Sequence, residues 1–177
     1  MSVKKWDRLG SRTVYRNKWI SLSQESFRLP SNKRIEYSVV HTPDFVAALA
    51  LHNKKIIMVR QYRPAVDDIT LELPAGGADG DGVIAAGLRE LEEETGYHAK
   101  SAKKLLTFYP FVGRARARVH VIFASNLAKT GSHQDEYEFI DVVKVDPKAA
   151  LRYIESGKIC VGHSVAGILY ASRKGLI

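Results

Sequence analysis

The sequence predicts an α/β domain: a mixed sheet with helices covering both faces, and a small antiparallel sheet in front of it. Three observations carry this. Strand-like segments come first in a block and helices interleave only later. The longest apolar run, FVAALAL (45–51), has the length and uniformity of a buried strand and is far too short to span a bilayer. One later segment, GDGVIAAGLRELEEETG (80–96), carries Ile84, Leu88 and Leu91 at i, i+4 and i+7, a single helical stripe.

In chain order, Thr13–Tyr15, Ile20–Ser23 and Ile35–Val40 are strand pieces around a turn at Pro30-Ser31-Asn32. They define a first region, residues 1–43; residues 44–177 form the main domain. FVAALAL and KIIMVRQY (55–62) make two strands joined at His52-Asn53-Lys54, and the loop RPAVDD leads to a short strand in LELPAGG (71–77) that ends at Pro74. The helix over 80–96 follows, with Asp79 or Asp81 to cap its start and Gly96 to stop it in the left-handed region. Strands are expected in KLLTFYPF (104–111), RVHVIFAS (118–125) and EFIDVVKV (138–145). Two helices close the chain, PKAALRYIES (147–156), with Pro147 in its first turn, and HSVAGILYASRK (163–174).

Composition sets outer limits. The 177 residues are 45% hydrophobic and 26% charged, ordinary for a globular protein with a proper core. The start, MSVKKWDRLG, has no apolar stretch of signal-peptide length, and the single cysteine, Cys160, has no partner for an internal disulfide. A cytoplasmic protein is the expectation. A net charge of +8 and a pI of 9.6 favour an anionic partner, either nucleic acid or a small phosphorylated molecule, or simply a basic surface.

Against that positive background, RELEEETGY (89–97) packs Glu90, Glu92, Glu93 and Glu94 into five positions. On a helix, Glu90, Glu93 and Glu94 share one face and Glu92 points elsewhere. Like charges at this spacing repel, and carboxylates in a last turn oppose the helix dipole, each at ~0.3–1 kcal/mol when exposed. Arg89 can offset part of this by pairing with Asp81 or with the cluster. A solvated acidic face is one reading. The other is a hard dication such as Mg²⁺, which takes oxygen ligands and often shares them with substrate phosphates. LPAGG just before the helix supplies a tight turn with a carbonyl to offer. On this second reading the carboxylates stand solvated and facing the metal, and Glu94→Gln leaves the fold intact.

Gly76, GADG, Asp81, seven residues and then REL-x-EE-x-GY resemble the Nudix box, G-x5-E-x7-R-E-U-x-E-E-x-G-U, with U apolar or aromatic. The second half matches throughout. The first half departs twice: the gap after Gly76 is one residue short, and Asp81 stands where the family has Glu. The resemblance implies a Nudix-type α/β/α sandwich and an Mg²⁺-dependent hydrolase of a diphosphate, with Mn²⁺ a possible substitute. It implies Glu90 and Glu94 as principal metal ligands, Glu93 assisting, and the Ala75 carbonyl completing the shell. Gly76, Asp81, Arg89 and Gly96 have structural roles, Asp81 bracing Arg89.

The flanks VRQYRPAVDDITLELPAG, DEYEFIDVVKV and IESGKI-x3-HSVAGIL are similar to the ADP-ribose pyrophosphatase (nucleoside diphosphate sugar hydrolase) subgroup. That resemblance implies a nucleoside diphosphate sugar as substrate and a homodimer joined through the N-terminal sheet. It places Glu138 near the metals, with Glu136 a second candidate base beside the catalytic Glu93. It puts Arg63 on substrate phosphate or ribose, against an ion pair with Asp67 or Asp68, and makes Trp19 and Tyr37 candidates to stack on the base. Arg114, Arg116 and Arg118 depart from the subgroup. They suit an extra phosphate, a solvated edge or a dimer contact. Other diphosphate substrates (a dinucleoside polyphosphate, an oxidised nucleotide, GDP-mannose) and a ligand-sensing module, even one that contacts nucleic acid, are the competing functions.

Overall fold

The computed structural model describes residues 2–78, 80, 82–130 and 139–177. The chain forms two compact units. One comprises residues 1–43 and 109–118, the other residues 44–108 and 119–177.

The first unit is a four-stranded sheet. Strands β1 (Asp7–Arg16), β2 (Ser21–Arg28) and β3 (Arg34–His41) form an antiparallel meander, and a short strand from Tyr109–Arg118 adds in parallel at Val40↔Ala115. Its buried centre is polar. Glu25 on β2 is fully buried and paired with Arg8 from β1 at 3.0 Å and Arg116 at 3.2 Å. Ser23 donates to the same carboxylate. Beside it, the rings of Trp6, Phe27 and Tyr37 meet edge to face, so this small sheet is held by one satisfied buried charge and an aromatic cluster.

The second unit is a three-layer sandwich. Its strands are β4 (Phe45–His52), β5 (Lys55–Arg63), β6 (Asp68–Glu72), β7 (Ala75–Gly77), β8 (Tyr97–Phe108), β10 (Val119–Lys129) and β11 (Ile140–Val145); the short Ala115–Arg116 strand of the first unit is β9. The order is β11-β5-β4-β10-β8, with β6 on β5 and β7 on β4. β4 and β10 run parallel and the other pairs antiparallel, so the sheet is mixed. β4 shows why its sequence is apolar from Phe45 to Leu51. Val46, Ala48 and Ala50 face a core shared with helix α1 (Val83–Thr95), whereas Ala47 and Leu49 face a core shared with α2 (Pro147–Glu155) and α3 (Gly162–Arg173). A strand covered on both faces has no use for alternation.

Local chemistry sets the boundaries. Asn53 and Lys54 both take positive φ, the two-residue turn that matches strand twist. Asp146 caps α2 by accepting from the Lys148 and Ala149 amides. Gly96 ends α1 at φ 68°, and its N–H donates to the Glu92 carbonyl. The N-cap position of α1 is Gly82, which has no side chain to cap with; the cap candidates Asp79 and Asp81 lie outside the described residues.

The buried stripe of α1 differs from expectation. Ile84 is 42% exposed, while Ala86, Gly87 and Leu91 are buried. A Cβ on Gly87 would sit 2.6 Å from Ile122 Cδ1 and 2.9 Å from Val46 Cγ2. The helix therefore approaches the sheet through its small residues, which a search for large apolar side chains passes over. RPAVDD was expected as a loop throughout; its last aspartate already begins β6, and the strand expected from residue 104 begins at Tyr97, directly behind the helix.

Candidate active site

The acidic stretch lies on the last two turns of α1, against β7. A Cβ on Gly76 would overlap the carboxyl group of Glu90, so only glycine leaves that carboxylate its place. One residue earlier on the same strand, the Ala75 amide donates to Glu94 Oε2 at 3.1 Å. Glu90 and Glu94 are thus both seated on the strand turn that LPAGG forms. Glu92 points away, as helical spacing requires, and holds His98 Nδ1 at 2.8 Å and Thr130 Oγ1 at 3.0 Å.

Arg89 answers part of the charge problem. Its guanidinium reaches Glu90 at 2.6 Å and Glu93 at 2.7 Å, and donates to the Gly77 carbonyl at 3.4 Å. Burial works against its charge, but the two carboxylates outweigh burial and hold Arg89 above its usual range. Its expected brace, Asp81, lies outside the described residues, as do the base candidates Glu136 and Glu138.

One expectation needs correction. Glu94 is not solvated: it is 4% exposed, and its backbone partner is part of the sheet. Glu93 is the open member, with its side chain 45% exposed. Among the described residues no three His, Cys, Asp or Glu side chains converge as a ready metal cage. The donors nonetheless suit a hard dication in kind. Glycine clears the room for one carboxylate, a backbone N–H orients a second, and all the side-chain donors are oxygen.

A second cluster was not anticipated. Arg63, at the end of β5, does not pair with Asp67 or Asp68. It grips Glu72 with two bonds of 2.8 Å, and Thr70 Oγ1 donates to the same carboxylate. Asp67 instead accepts from Tyr62, and Asp68 from the Ile69 amide. Glu72 is 1% exposed. Burial pushes its carboxyl up, but the Arg63 and Thr70 hydrogen bonds and the nearby positive charge bring it below the ordinary carboxylate range. His163, at the start of α3, places Nε2 3.6 Å from Glu72 Oε2. Burial lowers the His163 pKa to about 4, with Arg63 adding to the effect and Glu72 opposing it.

Residues 41–159 match the NUDIX domain family, and residues 6–40 match the nucleoside diphosphate sugar hydrolase N-terminal domain. The chain belongs to the Nudix family. The ADP-ribose pyrophosphatase of Bacillus subtilis (strain 168) is 35% identical to this Nudix protein over 94% of the chain and 92% of its own length. The methanol dehydrogenase activator of Bacillus methanolicus is 32% identical over 89% and 87%. A crystal structure of an ADP compounds hydrolase superposes with a TM-score of 0.89 over 99% of this chain and 98% of its own, at 20% identity, and so speaks for the fold. A Nudix hydrolase fold and an enzyme of that family are thereby established. No helix among the described residues is long and apolar enough to cross a membrane.

The aromatic candidates of the Nudix protein's first unit sit at different places. Trp19 is 67% exposed, with Lys18 Nζ 4.5 Å above its ring, and lines a cavity of about 230 Å³ together with His41 and Pro43. Tyr37 lines another of about 250 Å³, with Phe27 and Val112. Its hydroxyl donates to the Gly113 carbonyl, and the Arg114 guanidinium lies 4.3 Å above its ring. Arg114 and Arg116 are therefore engaged within the unit, one on Tyr37 and one on Glu25. Glu72, the partner of Arg63, and His163 beside it are the residues that sequence reasoning missed. The signal for Glu72 was a glutamate inside an apolar strand segment, LELP, where a charge needs a partner.

Proposed function

We propose that this Nudix hydrolase cleaves the diphosphate of ADP-ribose, or of a closely related nucleoside diphosphate sugar, to AMP and a sugar phosphate, and that it requires Mg²⁺. The observation that carries the reading is the near full-length match to an ADP-ribose pyrophosphatase. The intact carboxylate set on α1 supports it.

Glu90, Glu94 and Glu93, with the Ala75 carbonyl and Glu138, are the residues we assign to holding the metal; Mn²⁺ has the same oxygen preference. When bound, the dication supplies charge neutralisation of the diphosphate and acidification of water. The chain's own residues do the rest. Arg89 keeps Glu90 and Glu93 in register along the helix. Gly76 preserves the space that Glu90 occupies. Glu93, Glu136 or Glu138 accepts the proton of the attacking water. Arg63 offers a planar fork suited to a phosphate. Trp19 and Tyr37 provide ring faces for a base. We further propose a cytoplasmic homodimer that uses the N-terminal sheet.

Incubation of the purified protein with ADP-ribose and Mg²⁺, followed by separation of products, tests this. AMP and ribose 5-phosphate in equal amounts are the expected result. Absence of AMP with both Mg²⁺ and Mn²⁺ would remove the proposed substrate.

A further inference from the structure

The Arg63–Glu72 pair poses a problem for the reading just given. Arg63 is to bind phosphate, yet both arms of its guanidinium used for Glu72 face inward. Its side chain is 38% exposed and can turn outward; Glu72, 1% exposed, cannot follow. A carboxylate left behind without a cation in that setting is strongly disfavoured. Thr70 contributes a hydrogen bond but no charge.

His163 stands next to this vacancy-to-be. The residue is 9% exposed, and Nε2 is a buried nitrogen without a hydrogen-bond partner. It points at Glu72 Oε2 from 3.6 Å, too long for a hydrogen bond and short enough to become one with a small rotation. Its surroundings keep it in place. The Leu73 amide donates to Ser164 Oγ at 2.8 Å, pinning the end of β6 to the start of α3, and the Phe45 ring lies 5.5 Å from the imidazole. Buried polar atoms are normally satisfied. One that is not, aimed at a carboxylate held by a partly exposed partner, has the geometry of a substitute.

We propose that His163 is a positioning residue that takes over Glu72 when Arg63 turns to the substrate's phosphate, accepting one proton from solvent so that the buried carboxylate keeps a cationic partner. This rests on the diphosphate-hydrolase reading. Charge balances at each stage: Glu72 pairs with Arg63 before binding and with the imidazolium after it, while Arg63 pairs with phosphate. The charged groups acting on His163 are Glu72 from β6 and Arg63 from β5. With Arg63 in place, the ring is held neutral by burial and by that guanidinium. With Arg63 gone, the attraction of Glu72 and the hydrogen bond to the Leu73 backbone are left against burial.

Two measurements test the exchange. The first needs no substrate. Arg63→Ala imitates the departure, and Arg63→Gln, which keeps a hydrogen bond without the charge, serves if the first variant folds poorly. The His163 imidazole is titrated by NMR in each. We expect its midpoint to rise from about 4 by at least about one pH unit. A midpoint that stays put overturns the proposal, whether or not the protein cleaves ADP-ribose. The second is kinetic. His163→Leu removes the donor, whereas His163→Gln keeps an amide N–H near the Nε2 position. KM for ADP-ribose should rise about tenfold in His163→Leu with kcat within about twofold, and His163→Gln should recover most of the loss. Equal loss in both variants, or none in either, rules the exchange out. A wild-type protein inactive on ADP-ribose would count against the substrate assignment alone, and the first measurement would still decide the role of His163.

Discussion

Gly76→Ala is the sharpest test of how the box is built. A methyl at this position lands on the Glu90 carboxyl, with Glu90 Oε1 2.5 Å from the new carbon. Non-bonded atoms settle at roughly 3.5 Å, so the carboxylate must move by about 1 Å. It is the far end of a flexible side chain, and it can. The 2.6 Å pair with Arg89 is then lost or stretched; with Arg89 49% exposed and Glu90 13%, that costs on the order of 1 kcal/mol of stability. Misplacing a reacting or ligating group by 1 Å costs about 10²-fold in rate, or ~2.7 kcal/mol in the barrier. Initial rates at saturating Mg²⁺ and a thermal melt on the same sample separate the two effects. We expect turnover down about a hundredfold and a melting temperature within a few degrees of wild type. Gly10→Ala, where a Cβ meets nothing within 4 Å, is the control. Turnover within about threefold of wild type would refute the close fit of Glu90 over Gly76 as a functional constraint.

Further outcomes follow from the same geometry. Glu94→Gln keeps an oxygen for the Ala75 amide and should retain the fold while losing turnover at least about a hundredfold; Glu94→Ala leaves that buried N–H unpaired and should cost a further ~1–3 kcal/mol in a denaturant melt. Gly87→Ala presses a methyl into Ile122 and Val46 and should destabilise by ~1–3 kcal/mol, with specific activity of the folded protein little changed. His163 binds its proton more weakly when folded than when unfolded, so stability is full above pH 6.5 and falls as pH drops toward about 4, by up to ~1.4 kcal/mol per pH unit. Chemical denaturation across that window should show the slope, and His163→Gln should flatten it. Chelation by EDTA should abolish turnover, and added Mg²⁺ should restore it.

Much of this was legible in the sequence, for identifiable reasons. Strand β4 announced itself because a strand covered on both faces favours apolar residues on both, as Val46 to Leu49 show. Gly96 marked the end of α1 because few other residues take positive φ there at low cost. The spacing of Glu90, Glu93 and Glu94 fixed their common face because helical geometry does so independently of the rest of the fold. What the sequence hid depends on tertiary contact. Ile84 looked like core and is exposed, because the tight approach of α1 to β4 and β10 is made by Ala86 and Gly87. Glu94 looked solvated and is buried, because β7 folds back beneath it. Arg63 finds Glu72 nine positions away across a strand pair, and His163 joins them from nearly a hundred residues further along. No local pattern encodes that meeting.

The central claim is that the carboxylates of α1 exist to hold dications against a diphosphate. Calorimetric titration of Mg²⁺ into the protein, with a nonhydrolysable ADP-ribose analogue present, addresses it most directly. Saturable uptake in the wild type that disappears in Glu90→Gln and Glu94→Gln is the outcome this account requires; no uptake in the wild type, or uptake indifferent to both substitutions, would contradict it.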